Sequence, residues 1–272
     1  MTAIRHGFTM WKKKGVRYLV VPAFEAAGGV TCAVSTRVGG VSPKPYDKLN
    51  FSRSRENNEE NYQENMRRFA MAAGFDAQRA IASRYEHGNV FYHAEGKDAG
   101  RGVVLEELSQ FCDGLYTSEM NLPLITYHAD CVPLIFYDPI IRSVAICHAG
   151  WRGVAGHIVR EAITAMQTAG SSAGDILAAV GPCISVKHFE VQNDVRDIYT
   201  NAFGDEVIEL RGGRVFVDLP KACAKDMLGS GLNPGNITLS DICTYDNKRL
   251  FYSHRRDKGR TGAMAAVIAL KE

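Results

Sequence analysis

The stretch LPLITYHADCVPLIFYDPIIRSVAICHAGWRG, residues 122–153, decides the fold. Three short runs within it, 122–127, 133–137 and 143–147, are rich in β-branched and aromatic residues and read as strands. Asp138-Pro139 between the second and third is a turn signal, so these two should form a hairpin. The open end of that hairpin would bring Cys131 near His148. The polar group Tyr127-His128-Ala129-Asp130-Cys131 interrupts an otherwise apolar segment, which is costly unless those groups are paired or ligate something.

Working outward, further strands are expected at 17–21, 30–35, 79–85, 176–180, 214–217, 237–240 and 263–270. Apolar residues at 3.6-residue spacing predict helices over 57–73 and 153–169, with weaker signals at 191–203 and 219–229. In the first, Tyr62, Met66, Phe69, Ala70 and Ala73 share a face, Asn57 or Asn58 can cap the start, and Gly74 can end it. Many short strands with few helices give an α+β class: layered mixed β-sheets flanked by helices. No repeat, low-complexity tract or linker divides the chain, and a single domain over 1–272 is expected.

The bulk properties exclude several functions. A net charge of +2 gives no bulk field for a nucleic-acid partner. Lys12-Lys13-Lys14 reads as a solvated surface patch. The apolar stretch 122–136 is broken by His128 and Asp130 and falls short of the ~20 clean residues a membrane span needs. The N-terminus lacks a signal-peptide layout. The seven cysteines are scattered without a C-x-x-C pair, which is reduced-compartment usage, and a cytoplasmic location follows as an expectation.

Cys131 and His148 are good zinc ligands, and three protein ligands with one open position make a catalytic zinc site. His87, followed by Gly88, is the best third donor, with His93 and His128 as rivals on chemistry alone. The plain alternatives are a buried apolar filler for Cys131 and a capping role for His148. A second constellation suits an anion. Gly150-Trp151-Arg152-Gly153 lies where strand 143–147 meets a helix N-terminus, and Arg152 can fork onto phosphate. Thr36-Arg37-Val38-Gly39-Gly40 is another glycine-rich turn with an arginine; neither matches a P-loop or dinucleotide fingerprint.

Taken together, these segments resemble the YfiH-like, laccase-domain or "polyphenol oxidase" family, regarded as purine nucleoside phosphorylases. The resemblance is carried by Arg37-Val38-Gly39-Gly40, His87-Gly88, Asp113-Gly114-Leu115, Ala129-Asp130-Cys131-Val132-Pro133 and His148-Ala149-Gly150-Trp151-Arg152-Gly153. It continues through Gly181-Pro182-Cys183, Phe189-Glu190-Val191, Cys243-Thr244 and Ser253-His254-Arg255-Arg256. The resemblance implies a fold of the CNF-toxin and YfiH-like cysteine-hydrolase class, and a zinc ion, copper being the alternative, on His87, Cys131 and His148. It implies phosphorolysis of adenosine, inosine, guanosine or methylthioadenosine, with adenosine deaminase activity, in a monomer or small homo-oligomer that binds neither nucleic acid nor membrane.

On that reading Cys131, His148, His87 and Asp130 are catalytic, Asp130 or Glu190 relaying protons, while Arg152 and Arg37 hold substrate or phosphate. The alternatives are a cysteine hydrolase or amidase that edits peptidoglycan precursors, with Cys131 as nucleophile and His148 as base; a copper polyphenol oxidase; and a non-enzymatic zinc-stabilised binding protein. The chain departs from the family pattern at Tyr85, His254 and Ala263, which bears on substrate preference rather than on the metal.

Overall fold

Successive side chains of a strand face opposite ways, and the hairpin 132–149 is apolar on both faces, so both faces must be covered. The computed structural model, which describes residues 3–272, shows how. Val132–Asp138 pairs antiparallel with Ser143–Ala149, with Cys147 opposite Leu134 and His148 opposite Pro133. Val132, Leu134, Phe136, Ala145, Cys147 and Ala149 point to one side, and Ile135, Tyr137, Val144 and Ile146 to the other.

Helices cover the first side. Val154 in Trp151–Ala155, Ala162 and Met166 in Ile158–Thr168, Tyr199 in Asn193–Phe203 and Cys223 in Leu219–Gly229 are buried there. The second side packs on another sheet through Cys32, Val34, Leu124, Met264, Ala266 and Ile268. The far face of that sheet carries Ala33, Ile125, Ala265 and Val267, against which the helix Glu59–Ala73 sets Tyr62, Met66 and Phe69. The layers therefore run helix, sheet, sheet, helix, the α+β layering expected. Truncating an interior residue of either sheet, as in Leu134→Ala, removes about 2–5 kcal/mol of stability.

The hairpin's sheet has seven strands in the order Arg5–His6, Ile237–Leu239, Leu177–Val180, Val132–Asp138, Ser143–Ala149, Gly114–Thr117, Phe91–His93. The facing sheet has six: Thr9–Lys13, Val16–Val20, Val30–Ser35, Met264–Leu270, Leu124–His128, Ile81–Ala82. Glu190–Val191, Arg214–Val217 and Ile208–Arg211 make a small third sheet. The decisive connection is Ala129-Asp130-Cys131. It leaves Leu124–His128 in one large sheet and enters Val132–Asp138 in the other, so Cys131 stands where the chain crosses between them.

Local signals set several boundaries as expected. Asn58 caps Glu59–Ala73 by accepting from the Asn61 N–H at 2.9 Å, and Gly74 closes it in a left-handed conformation. The helix expected over 153–169 is two helices instead. His157 takes a left-handed φ of 59° between them, and tertiary bonds hold that break: Asn89 Nδ2 donates to the Gly156 carbonyl at 2.8 Å and the His157 ring meets Asp226 at 3.1 Å. Among the described residues no helix is long and apolar enough to cross a membrane.

Candidate metal centre

His148 comes from the end of strand Ser143–Ala149, and Cys131 from the crossing just before strand Val132–Asp138. The antiparallel register sets Pro133 opposite His148, so the hairpin alone brings these two side chains to one place. His87 arrives on a loop and has a left-handed φ of 67°. One ligand atom from each of His87, Cys131 and His148 lies within 4.8 Å of the others. His148 is buried, Cys131 half-buried and His87 exposed, so the set opens toward solvent on the His87 side.

Asp113 holds this arrangement. Its carboxylate, at 0% exposure, accepts from the backbone N–H groups of Glu86 at 3.3 Å, His87 at 3.0 Å and Gly88 at 2.7 Å, and lies 3.3 Å from His148 Nδ1. Its own carbonyl accepts from the His148 N–H at 2.8 Å. One acid thus pins the His87 loop and turns the His148 ring so that Nε2 is the free nitrogen, the outer-partner geometry that fixes a metal-binding imidazole. Burial pushes the Asp113 carboxyl up, but the bonds from His148 and the Gly88 and Glu86 amides outweigh it and hold it below its ordinary value. Burial likewise depresses the His148 imidazole, against the pull of Asp113 and with help from His87, so the ring is neutral and ready to donate a lone pair.

Two glycines keep the loop and hairpin in contact. A Cβ at Gly150 would lie 2.8 Å from the His87 ring, and one at Gly153 would lie 2.5 Å from the Gly88 carbonyl oxygen. The close approach expected at Gly88 therefore depends on its neighbour Gly153, since a Cβ at Gly88 itself would meet Asp113 at an ordinary 3.4 Å.

The donors line a cavity of about 460 Å³. Tyr85, Trp151 and Phe189 give it aromatic walls; Arg55, Arg152 and Arg255 give it positive charge. Arg152 is exposed, lies over the Trp151 ring at 4.3 Å and makes no ion pair among the described residues. Tyr85, His254 and Ala263, the positions expected to depart from the resembled pattern, all line this cavity. Tyr85 lies against the His148 ring with centroids 4.1 Å apart.

The other sequence-derived candidates are placed differently. Asp130 is at the cavity wall with φ 84°, but its carboxylate is fully engaged by Thr244 Oγ1 at 2.6 Å, Ser253 Oγ at 3.0 Å and the Arg255 N–H at 2.7 Å. Arg37 is not brought to the cavity. Its guanidinium is spent on Asp47 and the Lys248 carbonyl, lies over Tyr252 and borders a separate surface depression. Glu190 also lies outside the cavity lining and pairs with Arg214 at 3.2 Å. The helix N-terminus expected to face an anion has only the five residues Trp151–Ala155 behind it, because the helix breaks at His157, which leaves Arg152 as the candidate cation there. Of the rival histidines, His93 is exposed and stacked on Tyr116, while His128 is buried beside His148 with Nε2 bonded to Thr126 at 2.7 Å. Asp113 and Arg55 carried no assigned role in the sequence reading. An acid between Cys112 and Gly114-Leu115 was the available signal for the first, since a carboxylate within an apolar segment needs partners.

Two facing sheets with a His–Cys–His set at their crossing place a candidate metal centre on a layered α+β scaffold. Residues 31–271 match the family described as multi-copper polyphenol oxidoreductase laccase, and the chain belongs to that family. It is 32% identical over 251 residues to the purine nucleoside phosphorylase YlmD of Bacillus subtilis, covering 89% of each chain. It is 30% identical over 254 residues to the purine nucleoside phosphorylase YfiH of Escherichia coli, covering 93% of this chain and 98% of that one. The crystal structure of YlmD from Geobacillus stearothermophilus superimposes with a TM-score of 0.89 at 31% identity, over 97% of this chain and 99% of that one.

Proposed function

We propose that this chain is a zinc-dependent purine nucleoside phosphorylase, acting on adenosine, inosine, guanosine or methylthioadenosine, with adenosine deamination as a companion activity of the same cavity. The observation that carries the reading is the convergence of His87, Cys131 and His148 on the wall of a nucleoside-sized cavity that also holds Arg152, which makes no ion pair among the described residues. The names of the relatives from Bacillus subtilis and Escherichia coli support the reaction class.

The residues fit zinc. Two imidazoles and one thiol are a catalytic donor set, and the Asp113 bond to His148 Nδ1 supplies the outer partner such sites carry. Enclosure pushes the Cys131 thiol up to about 12, with Asp130 and Asp113 adding to the effect, so a cation is what would bring it to the thiolate at neutral pH. The same shift argues against a metal-free Cys131 nucleophile, which needs a depressed pKa. A bound zinc would supply Lewis acidity at its open coordination position.

The remaining work falls to side chains. Tyr85, Trp151 and Phe189 offer flat faces to a purine, and Arg152 holds phosphate with its oxygen toward C1′. A phosphate oxygen bonds to C1′ as the bond from C1′ to the purine nitrogen breaks, and the purine leaves with that electron pair and takes up a proton. Positioning and charge lower this barrier, since the ribose becomes cation-like while the anion waits beside it. Asp130 is assigned a positioning role, because its carboxylate oxygens are taken by three donors. The chain is read as one domain in a reducing cytoplasm: strands from both its ends enter the large sheets and its seven cysteines are free.

Incubation of purified protein with adenosine and phosphate tests the reading. Wild type is expected to release adenine and ribose 1-phosphate, and Cys131→Ala to lose this activity at least ~100-fold, as losing a transition-state group does. Elemental analysis separates zinc from copper, which the same donors accept. A folded, metal-loaded wild type that releases neither adenine nor inosine ends the purine reading.

A further inference from the structure

A second group of donors lies outside the cavity just described. His188, Cys243 and Asp246 each present a ligand atom within 4.8 Å of the other two. Their meeting follows from the sheet. Leu177–Val180 and Ile237–Leu239 are parallel neighbours, and the pairing continues beyond the strands as a bridge between Cys183 and Cys243. Both chains therefore leave the sheet at the same end. One turns through Ser185 to His188, and the other folds Cys243 and Asp246 onto a single turn.

We infer that His188, Cys243 and Asp246 form a second divalent-cation site, suited to zinc, that braces the wall of the catalytic cavity. One thiol, one imidazole and one carboxylate are donors that zinc accepts, and as thiolate and carboxylate they carry two negative charges against the ion's two positive ones. The site is prepared for this. The Ser185 N–H donates to Cys243 Sγ at 3.4 Å, a bond that orients the sulfur. The His188 ring is stacked on Tyr245 with centroids 4.0 Å apart, which fixes its plane, and His188 Nε2 lies 2.6 Å from Asp246 Oδ1. Cys243 is buried while Asp246 is exposed and His188 half-buried, so an ion has an entry path.

The nearby arginines do not oppose a cation as strongly as their number suggests. Arg211 and Arg214 pair with Glu209 and Glu190 at 3.1 and 3.2 Å, and Arg255 donates to the backbone carbonyls of His188 and Glu190. The bracing follows from the neighbours of the donors. Phe189, next to His188, lines the catalytic cavity, and Thr244, next to Cys243, donates to Asp130, which precedes Cys131. An ion on the three donors would tie both loops together one residue away from those contacts.

Titration of the full-length, chelator-treated protein with cobalt(II) tests the site. Thiolate-to-cobalt absorbance reports Cys131 and Cys243 alike. Wild type is expected to bind two equivalents and Cys131→Ala to keep one. Adding His188→Ala or Cys243→Ser to Cys131→Ala should weaken that remaining equivalent beyond the ~10–100-fold characteristic of an outer-partner loss. His188 is half-buried, so its variant serves where Cys243→Ser fails to fold, with circular dichroism as the control. The inference is overturned if folded Cys131→Ala binds no cobalt, or if its equivalent survives His188→Ala unchanged. A single wild-type equivalent that Cys131→Ala retains and His188→Ala loses would uphold this site while removing the metal from the proposed catalytic one.

Discussion

Asp113 and Asp130 are carboxylates withdrawn from water beside the same three donors, and they solve the same problem to different ends. Each is nearly or fully buried, and each is surrounded by hydrogen-bond donors that offset the cost of burying charge. The donors to Asp113 are the backbone amides of Glu86, His87 and Gly88 together with the His148 ring, so its bonds end on two of the three candidate ligands. The donors to Asp130 are Thr244, Ser253 and the Arg255 amide, so its bonds end on two other loops and on none of the candidate ligands. What a buried acid does is set by the far ends of its hydrogen bonds. Asp113 aims the candidate ligands; Asp130 fastens the crossing between the sheets to the loops around it.

The largest effect that can break this contrast is at Asp113. Asp113→Asn keeps the shape but turns an NH2 group toward amide donors and removes the charge that orients His148. Metal affinity is expected to fall ~10–100-fold, with activity falling alongside, as measured by competition with a chelator. The variant should also lose about 1–3 kcal/mol of stability for the donors left unpaired. Wild-type metal affinity in a folded Asp113→Asn protein would reduce Asp113 to a structural acid and erase the difference between the two.

The next effect is at Asp130. Asp130→Asn is expected to cost about 1–3 kcal/mol in denaturant unfolding, since two hydroxyls and an amide lose a charged acceptor. Metal stoichiometry should be unchanged, because none of its bonds reaches His87 or His148. Loss of the metal in this variant would show that the two acids act as one unit.

The contrast also marks what was legible in the sequence. The hairpin was, because Asp138-Pro139 and two apolar runs specify it, and its register carries Cys131 to His148 without further help. The layers were, because many short strands with few helices call for sheets with helices outside them. Gly114–Thr117 and Phe91–His93 were not: each is short, the first begins with glycine, and both are held by pairing rather than by local preference. Thr9–Lys13 escaped because it is an edge strand exposed along most of its length, with no apolar alternation to read. Asp113 went unassigned for a related reason. Its partners are backbone amides far along the chain, and amides carry no side-chain signature. Asp130, adjacent to a candidate ligand, drew the catalytic reading that its hydrogen bonds then redirected. Arg37 sits in as distinctive a motif as Arg152, yet only tertiary structure separates the cation held by Asp47 from the one left open to the cavity.

The smallest expected effect is on the pH dependence of stability that Asp113 and its partner His148 set. The Asp113 carboxyl is held below its ordinary value, so its contribution to stability is present above the unfolded value of about 3.9 and is lost as pH falls through the folded one. The His148 and His128 imidazoles are depressed chiefly by burial, so the unfolded chain binds protons that the folded one refuses. Their contribution is present above about pH 6.5 and declines as pH falls below it. Chelator-treated protein should therefore lose stability in two windows, one opening near pH 6.5 and one below about pH 3.9, in denaturant midpoints taken across pH. In Asp113→Asn the lower window should shrink, leaving the share of Glu59, Glu64 and Glu95, and the upper one should deepen because His148 loses the partner that raises its pKa. An upper window unchanged by Asp113→Asn would mean that the acid does not hold the imidazole in solution, and the ligand-aiming role assigned to it would fall with that bond.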